Sequence, residues 1–430
     1  ILIISVFLVY LKSGTMSLLL FITMVLREAD MTQPLHTENL LNRPLELPCG
    51  AIIKNRLMKS AMSDSLADGE GNPTQAQSRL YERWAEGGIG LSVVGEVQID
   101  ALFPENPGNL VLSEQSDIKE LQALTSRAAI NNAHIWPQLG HAGGLAYQPL
   151  SKPKGPSALC IGDFECEGMS EQDIALLPHQ FAKSAAIAKQ AGFTGVQIHA
   201  GHGFLLSQFL SPLFNHRTDL YGGSVENRSR IIIEVIAEVR STVGGTFPIG
   251  IKINCSDQLE GGLTQEDALE VISLLNTTSI DLIEISGGSY FPGAKSSSDS
   301  ASNGPYFIDF SVKAKGLTNI PLVVTGGFKK REQVIDALSI NAADSIGLGR
   351  ALILRPDLPN EWLEGEGVTF DFPKFKSPPQ GGVTAWYTML LTAISHDNEK
   401  EFNLELLPAI QSYENRDKAR ITKWQAKYQL

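Results

Sequence analysis

The sequence predicts a (β/α)8 TIM barrel in a single domain, and three observations predict it. Eight short runs rich in Val, Ile and Leu recur along the chain, most of them closing on Gly, Ser or Asn. Helical patterns lie between them, so strand and helix alternate. The runs are apolar almost throughout rather than at every second residue, which marks strands buried on both faces of a parallel sheet. A doubly wound open sheet is the runner-up, but no GxGxxG follows the first run, and that phosphate-binding turn is its usual signature.

In chain order the expected strands are 56–62, 90–95, 134–140, 195–200, 249–254, 282–287, 321–326 and 344–349. Before them, 45–54 places Pro48-Cys-Gly between two apolar pieces and reads as a hairpin closing the barrel's bottom. Helix 74–86 carries Leu80, Tyr81 and Trp84 at helical spacing, and helix 117–131 follows. Helix 177–190 is expected with Pro178 in its first turn, where a missing N–H costs nothing. Helix 225–243 starts after Ser224, a good cap, with Glu226 just inside. Helix 264–276 begins on Thr264, and helix 330–339 follows the seventh strand. Two insertions, 143–168 and 288–305, follow strands three and six, at the mouth where barrel enzymes place their chemistry. Later helices at 384–394 and 415–428 are expected to pack outside the barrel. The expected division is therefore a non-domain extension at 1–34, apolar and either disordered or helical, a barrel at 35–357, and a C-terminal helical extension at 358–430.

Bulk properties narrow the function classes. The 430 residues carry a formal net charge of −12, with 43% hydrophobic and 19% charged residues. No basic cluster stands out, which argues against nucleic-acid binding. Cys49, Cys160, Cys166 and Cys255 form no CxxC pair, which argues against zinc, iron–sulfur and disulfide frameworks and for a cytoplasmic setting. Two apolar runs, 1–11 and 16–26, are split by Lys12-Ser-Gly-Thr. Each is shorter than the roughly 20 residues of a spanning helix, so no stable membrane association is expected. A signal or anchor sequence is the competing reading, and Met31 is a plausible natural start.

Strand ends supply the candidate site. Strand one ends in Ser60, Ala61, Met62 and Ser63, strand two in Gly95 and Glu96, and strand three supplies Gln138 and His141. Strand four leads into His199 and His202, ahead of a long loop, and a loop that long in a compact domain is usually functional. Strand five supplies Lys252 and Asn254, and strands six to eight end in Gly287-Gly288, Gly326-Gly327 and Gly349-Arg350. Paired glycines let backbone N–H groups approach an anion, Arg350 adds charge-assisted bonds, and loops seven and eight are the usual phosphate site of this fold. Glycine also ends strands merely to make tight turns. Lys252, inside Ile251-Lys-Ile253, needs an anion beside it, either a ligand or a structural carboxylate. A flat heteroaromatic ring bearing a phosphate, contacted by Ser, Gln138 and Lys252, is what flavin mononucleotide (FMN) requires. The histidine pair has three readings: metal ligands without an evident third partner, structural imidazoles, or N–H donors gripping an oxygen on which charge develops.

HAGHGFLLSQFLSP followed by NHRTDLYGGSVENRSR resembles the Old Yellow Enzyme family of FMN-dependent ene-reductases and NADH:flavin oxidoreductases. KNRLMKSAMS, GLSVVGEVQID, PQLGHAG, IKINCSD, VVTGGF and IGLGRAL extend the resemblance in order over about 35–357. It implies a single barrel with non-covalent FMN at its mouth and NAD(P)H as co-substrate. Ser63 would touch the flavin carbonyl edge, with Ser60, Ala61, Met62, Glu96 and His199 also beside the cofactor. Gln138 and Lys252 would bind the pyrimidine end, and Gly326, Gly327, Gly349 and Arg350 the phosphate. His199 and His202 would hold the substrate's carbonyl oxygen over the flavin. The activity implied is hydride transfer from NAD(P)H, through flavin, to an α,β-unsaturated carbonyl or related acceptor. The iron–sulfur branch is excluded, because no cysteine follows Cys255. Where the family usually has its proton-donating tyrosine stands Phe204, and phenyl has no proton to give. Solvent, Tyr290 or Tyr306 would then supply the proton, or the acceptor would need none. The alternatives are a flavin-dependent isomerase or dehydrogenase, and a non-catalytic flavoprotein. The expected partner is a small molecule, and a homo-oligomer is compatible with such a barrel.

Overall fold

The computed structural model describes residues 40–161, 164–291, 304–368, 370 and 372–429. The chain divides into Ile1–Leu40 and Leu41–Leu430. The first unit has only Leu40 among the described residues, so the expected extension at 1–34 lies outside them. The hairpin, the barrel and the C-terminal helices all belong to the second unit.

Strands β1 (Leu45–Glu46) and β2 (Ile52–Ile53) form the expected antiparallel hairpin. The barrel strands are β3 (Leu57–Lys59), β4 (Leu91–Gln98), β6 (His134–Gly140), β10 (Val196–Ala200), β11 (Ile249–Asn254), β12 (Leu282–Ser286), β13 (Leu322–Thr325) and β14 (Ser345–Leu348). A short strand, β5 (Leu110–Val111), adds to the edge of β4. Each barrel strand pairs in parallel with the next, and β14 pairs with β3, so the ring closes. Every residue of β4, β10, β11 and β12 is buried, as strands covered on both faces must be.

Hairpin residues Leu45, Leu47 and Ile53 pack with Met58, Leu91, Val93, Trp136, Leu282 and Val323. This cluster fills the barrel at the N-terminal ends of its strands. Trp136 fits because its neighbours are glycines: a Cβ at Gly195 would lie 2.5 Å from the indole and one at Gly250 3.0 Å.

Helix α1 (Gln75–Glu86) is capped by Thr74, and α2 (Ile118–Ala128) by Asp117. Helix α3 (Glu171–Gln190) starts six residues before the expected 177. Its start is a capping box between Ser170 and Asp173, and Pro178 lies in its interior. Proline favours first turns; here the box and the buried face at Ile174, Leu177 and Phe181 overcome that preference. Helix α4 (Leu205–Leu210) occupies part of the expected loop after His202, and α5 (Val225–Val243) begins after Ser224 as expected. Helix α6 (Gln265–Leu275) is capped by Thr264, α7 (Ile308–Lys315) has no counterpart among the expected helices, and α8 (Arg331–Ser339) follows β13. Short helices α9 (Arg350–Leu354) and α10 (Leu358–Leu363) complete the barrel.

The 143–168 insertion folds into β7 (Lys154–Gly155), β8 (Leu159–Ile161) and β9 (Phe164–Gly168), in the order β7-β9-β8. Most of the 288–305 insertion lies outside the described residues. The C-terminal helices are α11 (Gly382–Ile394) and α12 (Leu406–Tyr428), the latter nine residues longer at its start than expected. Neither is confined to the barrel's outside. Trp424 of α12 is fully buried against Val111 and Leu150 and donates to Ala101 O, while Arg420 donates to Ser65 O. Thus α12 holds the loops that follow β3 and β4.

Candidate functional site

A cavity of about 390 Å³ opens at the C-terminal ends of the barrel strands. Ser60, Ala61, Met62 and Ser63 line it beyond β3, His202 beyond β10 and Lys252 on β11. Gly326 and Gly327 line it beyond β13, and Gly349 and Arg350 beyond β14. Ten expected residues, scattered over nearly 300 positions of sequence, therefore share one wall. Glu96 and His199 are buried and lie outside that lining. A larger open groove of about 670 Å³, beside Pro48, Cys49, Arg240 and Asp281, holds none of the expected residues.

Lys252 has its anion. Its Nζ lies 2.9 Å from Glu284 Oε1, and both side chains are buried. Glu284 also accepts from Gln197 Nε2 and from Thr325 Oγ1, each at 2.7 Å, and the Ser60 hydroxyl lies 2.8 Å from Thr325 Oγ1. Burial alone would raise the Glu284 pKa; the Lys252 cation and the two donors outweigh it and hold the carboxyl below its usual range. Gln138 is fully buried and also outside the lining; its amide donates to Gln197 Oε1 at 2.7 Å. The structural-carboxylate reading of Lys252 thus holds in this fold, while Lys252 still faces the cavity.

The histidines are joined to each other. His199 Nε2 lies 3.1 Å from His202 Nδ1, and His202 Nε2 lies 2.9 Å from Ser286 Oγ. His199 Nδ1 is 2.7 Å from Glu96 Oε1, an ion-pair distance, but off the line a hydrogen bond needs. Burial, then Lys252 and His199, push the His202 pKa well down, so its ring is neutral. His202 itself sits at φ 60°, between Gly201 and Gly203, with its backbone N–H bound to Asn254 Oδ1 at 3.0 Å. Such a left-handed position persists only when its surroundings fix it. Phe204 is buried among Ala142, Ala146, Phe103 and Leu145, with its ring centroid 5.1 Å from that of His199 and 5.7 Å from that of Tyr290.

Three contributors are missing from the sequence-based site. Glu105, on the loop after β4, lines the cavity and accepts from Ser63 Oγ at 2.8 Å, so Ser63 is engaged with a carboxylate. Glu284 has a legible signal, an acid alone in the apolar run Leu282–Ser286, the mirror of Lys252. Helix α11 brings Thr384, Tyr387 and Thr388 to the cavity, and Arg350 lies over the Tyr387 ring at 5.8 Å. Nothing in a helical pattern past the barrel says that it turns back over the mouth.

These residues fit FMN. Gly326 and Gly327 adopt φ 122° and 84°, and a Cβ at Gly327 would stand 2.3 Å from Gly304 O. Backbone turned this way presents N–H groups to an anion, with Arg350 and Lys329 lining the same wall. Lys252 and the Ser60–Ser63 segment line the same cavity and would offer polar contacts to a flat ring. Among the described residues no group of three His, Cys, Asp or Glu could hold a metal.

The model of the NADH:flavin oxidoreductase / NADH oxidase family matches residues 41–366. An NADH-dependent flavin oxidoreductase of Hypocrea jecorina is 32% identical, over 80% of this chain and 95% of its own. One from Neonectria sp. is 34% identical over 76% of this chain, which spans 46% of that longer relative. Among solved structures, an old yellow enzyme homologue from Zymomonas mobilis has the same fold, with a TM-score of 0.67 and 24% identity over 81% of this chain and 98% of its own. With the family model matched over three quarters of this chain, the chain belongs to the NADH:flavin oxidoreductase / NADH oxidase family, the Old Yellow Enzyme group it resembles, with non-covalent FMN as cofactor and NAD(P)H as reductant.

Proposed function

We propose that this chain reduces α,β-unsaturated carbonyl compounds or related electrophilic acceptors, in a cytoplasmic setting. Bound FMN supplies the two-electron chemistry between NAD(P)H and the acceptor. Lys252 would hold the pyrimidine end of the ring, because its charge faces the cavity while Glu284 anchors it. Gly326, Gly327, Gly349 and Arg350 would hold the phosphate. The His202 ring, neutral and fixed, would present an N–H to the acceptor's oxygen by exchanging its Ser286 bond for that oxygen. His199, bonded to His202 from behind, would keep that ring in place. A carbonyl polarised this way draws electron density from the carbon that accepts hydride.

The observation that carries this reading is the convergence of His202, Lys252 and the glycine–arginine turns on one cavity. Phe204 favours a second reading: with no phenol there, a flavin-dependent isomerase would return the hydride instead of protonating the product, and a dehydrogenase would pass the substrate's hydride through flavin to another acceptor. An anaerobic panel separates the two. The protein with FMN is mixed with NADH and NADPH, then with enones, quinones and nitro compounds. Net enone reduction supports the first reading; isomerised products, or desaturated products formed as a quinone is reduced, with no nicotinamide consumed, would support the second.

A further inference from the structure

We propose that Glu105 delivers the proton in this cavity, replacing the tyrosine whose place Phe204 takes. The proposal rests on the enone-reductase reading and names the acid that reading lacks.

Glu105 lines the same cavity as Ser63, His202 and Tyr290. All its bonds fall on one oxygen: Oε2 accepts from Ser63 Oγ at 2.8 Å, Asn106 Nδ2 at 3.0 Å and Asn109 Nδ2 at 3.1 Å. Among the described residues nothing donates to Oε1. Three donors fix the carboxyl group and make Oε2 the acceptor atom, leaving Oε1 to carry a proton. An acid with a fixed heavy-atom frame and one free O–H is what positioned proton transfer needs.

Burial, with the charged neighbours behind it, keeps that proton in place near neutrality. Burial raises the Glu105 pKa first, the Glu96 carboxylate next and Asp417 of α12 further, while Ser63 and Asn109 lower it, and it settles at about 7. Tyr290 and Tyr413 also lie within the field of Glu105, and Arg416 and Arg420 face Asp417 on α12. A pKa near the working pH gives the best compromise between being protonated and giving the proton up. Tyr290 is the rival donor. It stands 67% exposed, and its hydroxyl has no hydrogen bond among the described residues to orient it.

In the step, a hydride adds to the acceptor's β-carbon and the alkene electron pair shifts toward the carbonyl. The Glu105 O–H bond breaks as a C–H bond forms at the α-carbon. The carboxylate left behind takes a proton from water, so one NAD(P)H and one proton are consumed per alkene reduced.

The test uses the full chain with FMN, as wild type, Glu105→Gln, Glu105→Asp and Tyr290→Phe. Quinones need no carbon protonated, so the enone-to-quinone turnover ratio isolates the proton step. Glu105→Gln should lower that ratio about 100-fold or more, Glu105→Asp should restore part of it, and Tyr290→Phe should lower it less. Independently of turnover, infrared difference spectra of the wild type should show a protonated-carboxyl band that disappears as pH rises through about 7 and is missing in E105Q. An unchanged ratio in Glu105→Gln, a larger fall in Tyr290→Phe, or a band that E105Q retains overturns the inference while leaving the reductase reading standing. A wild-type flavin that neither NADH nor NADPH bleaches overturns the reductase reading and this inference with it.

Discussion

At the scale of single residues, the cavity is decided by where charge is buried and what answers it. That Lys252 needed an anion was legible, because an ammonium inside an apolar strand is costly unless paired. Which anion was not legible, because Glu284 becomes its neighbour only once β11 and β12 are in register, with Lys252 opposite Glu284. Glu105 was invisible for a similar reason: its three donors come from positions 63, 106 and 109, brought together by the β3 and β4 loops. Its protonation has a thermodynamic consequence. Burial, then Glu96, raise its folded pKa from 4.5 to about 7. Between those values the folded state holds a proton the unfolded state has lost, so the wild type loses stability as pH rises through that window. Glutamine does not titrate. The stability of Glu105→Gln relative to wild type, measured by urea unfolding at several pH values, should therefore climb from about pH 4.5 and level off above about pH 7. A difference that stays flat with pH would mean that Glu105 titrates alike in the folded and unfolded states.

At the scale of elements, the strands were the most legible part, because burial on both faces writes them as unbroken apolar runs. Their ends fell within a few residues of the structure, and strand ends are where the site residues lie. Helices obscured by competing signals were less legible. Pro178 concealed the first six residues of α3, and α4 was hidden in a segment whose Gly, Pro and Asn read as loop. Glycines also carry information at this scale. Replacing Gly by Ala usually stabilises by about 0.4–1 kcal/mol through the unfolded chain. At Gly195 the added Cβ would sit 2.5 Å from the Trp136 indole and 2.9 Å from Pro248 Cβ. Trp136 is fully buried and has nowhere to retreat. Overpacking wins, and Gly195→Ala should lose about 1–3 kcal/mol, read as a lowered midpoint in thermal or urea unfolding. A midpoint at or above that of the wild type would show that the barrel floor is looser than this packing implies.

At the scale of the whole molecule, the eight-strand ring and α11 line one cavity, and α12 holds the loops around it. The C-terminal extension reads as an outer layer in sequence, since an amphipathic helix shows that it packs but not on what. In the structure α12 clamps the loops carrying Ser65 and Ala101, and α11 sets Tyr387 against Arg350 at the cavity wall. A guanidinium over an aromatic face is worth about 0.5–2 kcal/mol. Tyr387→Ala should therefore weaken FMN binding about 2- to 30-fold through a residue beyond the barrel's last strand, as measured by flavin fluorescence titration. Unchanged affinity would make α11 a cover with no part in holding the cofactor.

On the reading proposed above, ends of strands far apart in sequence assemble one flavin seat. The most direct measurement is a titration of the flavin-free protein with FMN, followed anaerobically by NADH or NADPH. Binding should saturate at one FMN per chain, nicotinamide should bleach the flavin, and both Arg350→Ala and Lys252→Met should reduce the affinity. Absence of saturable binding, or binding that neither substitution alters, would contradict it.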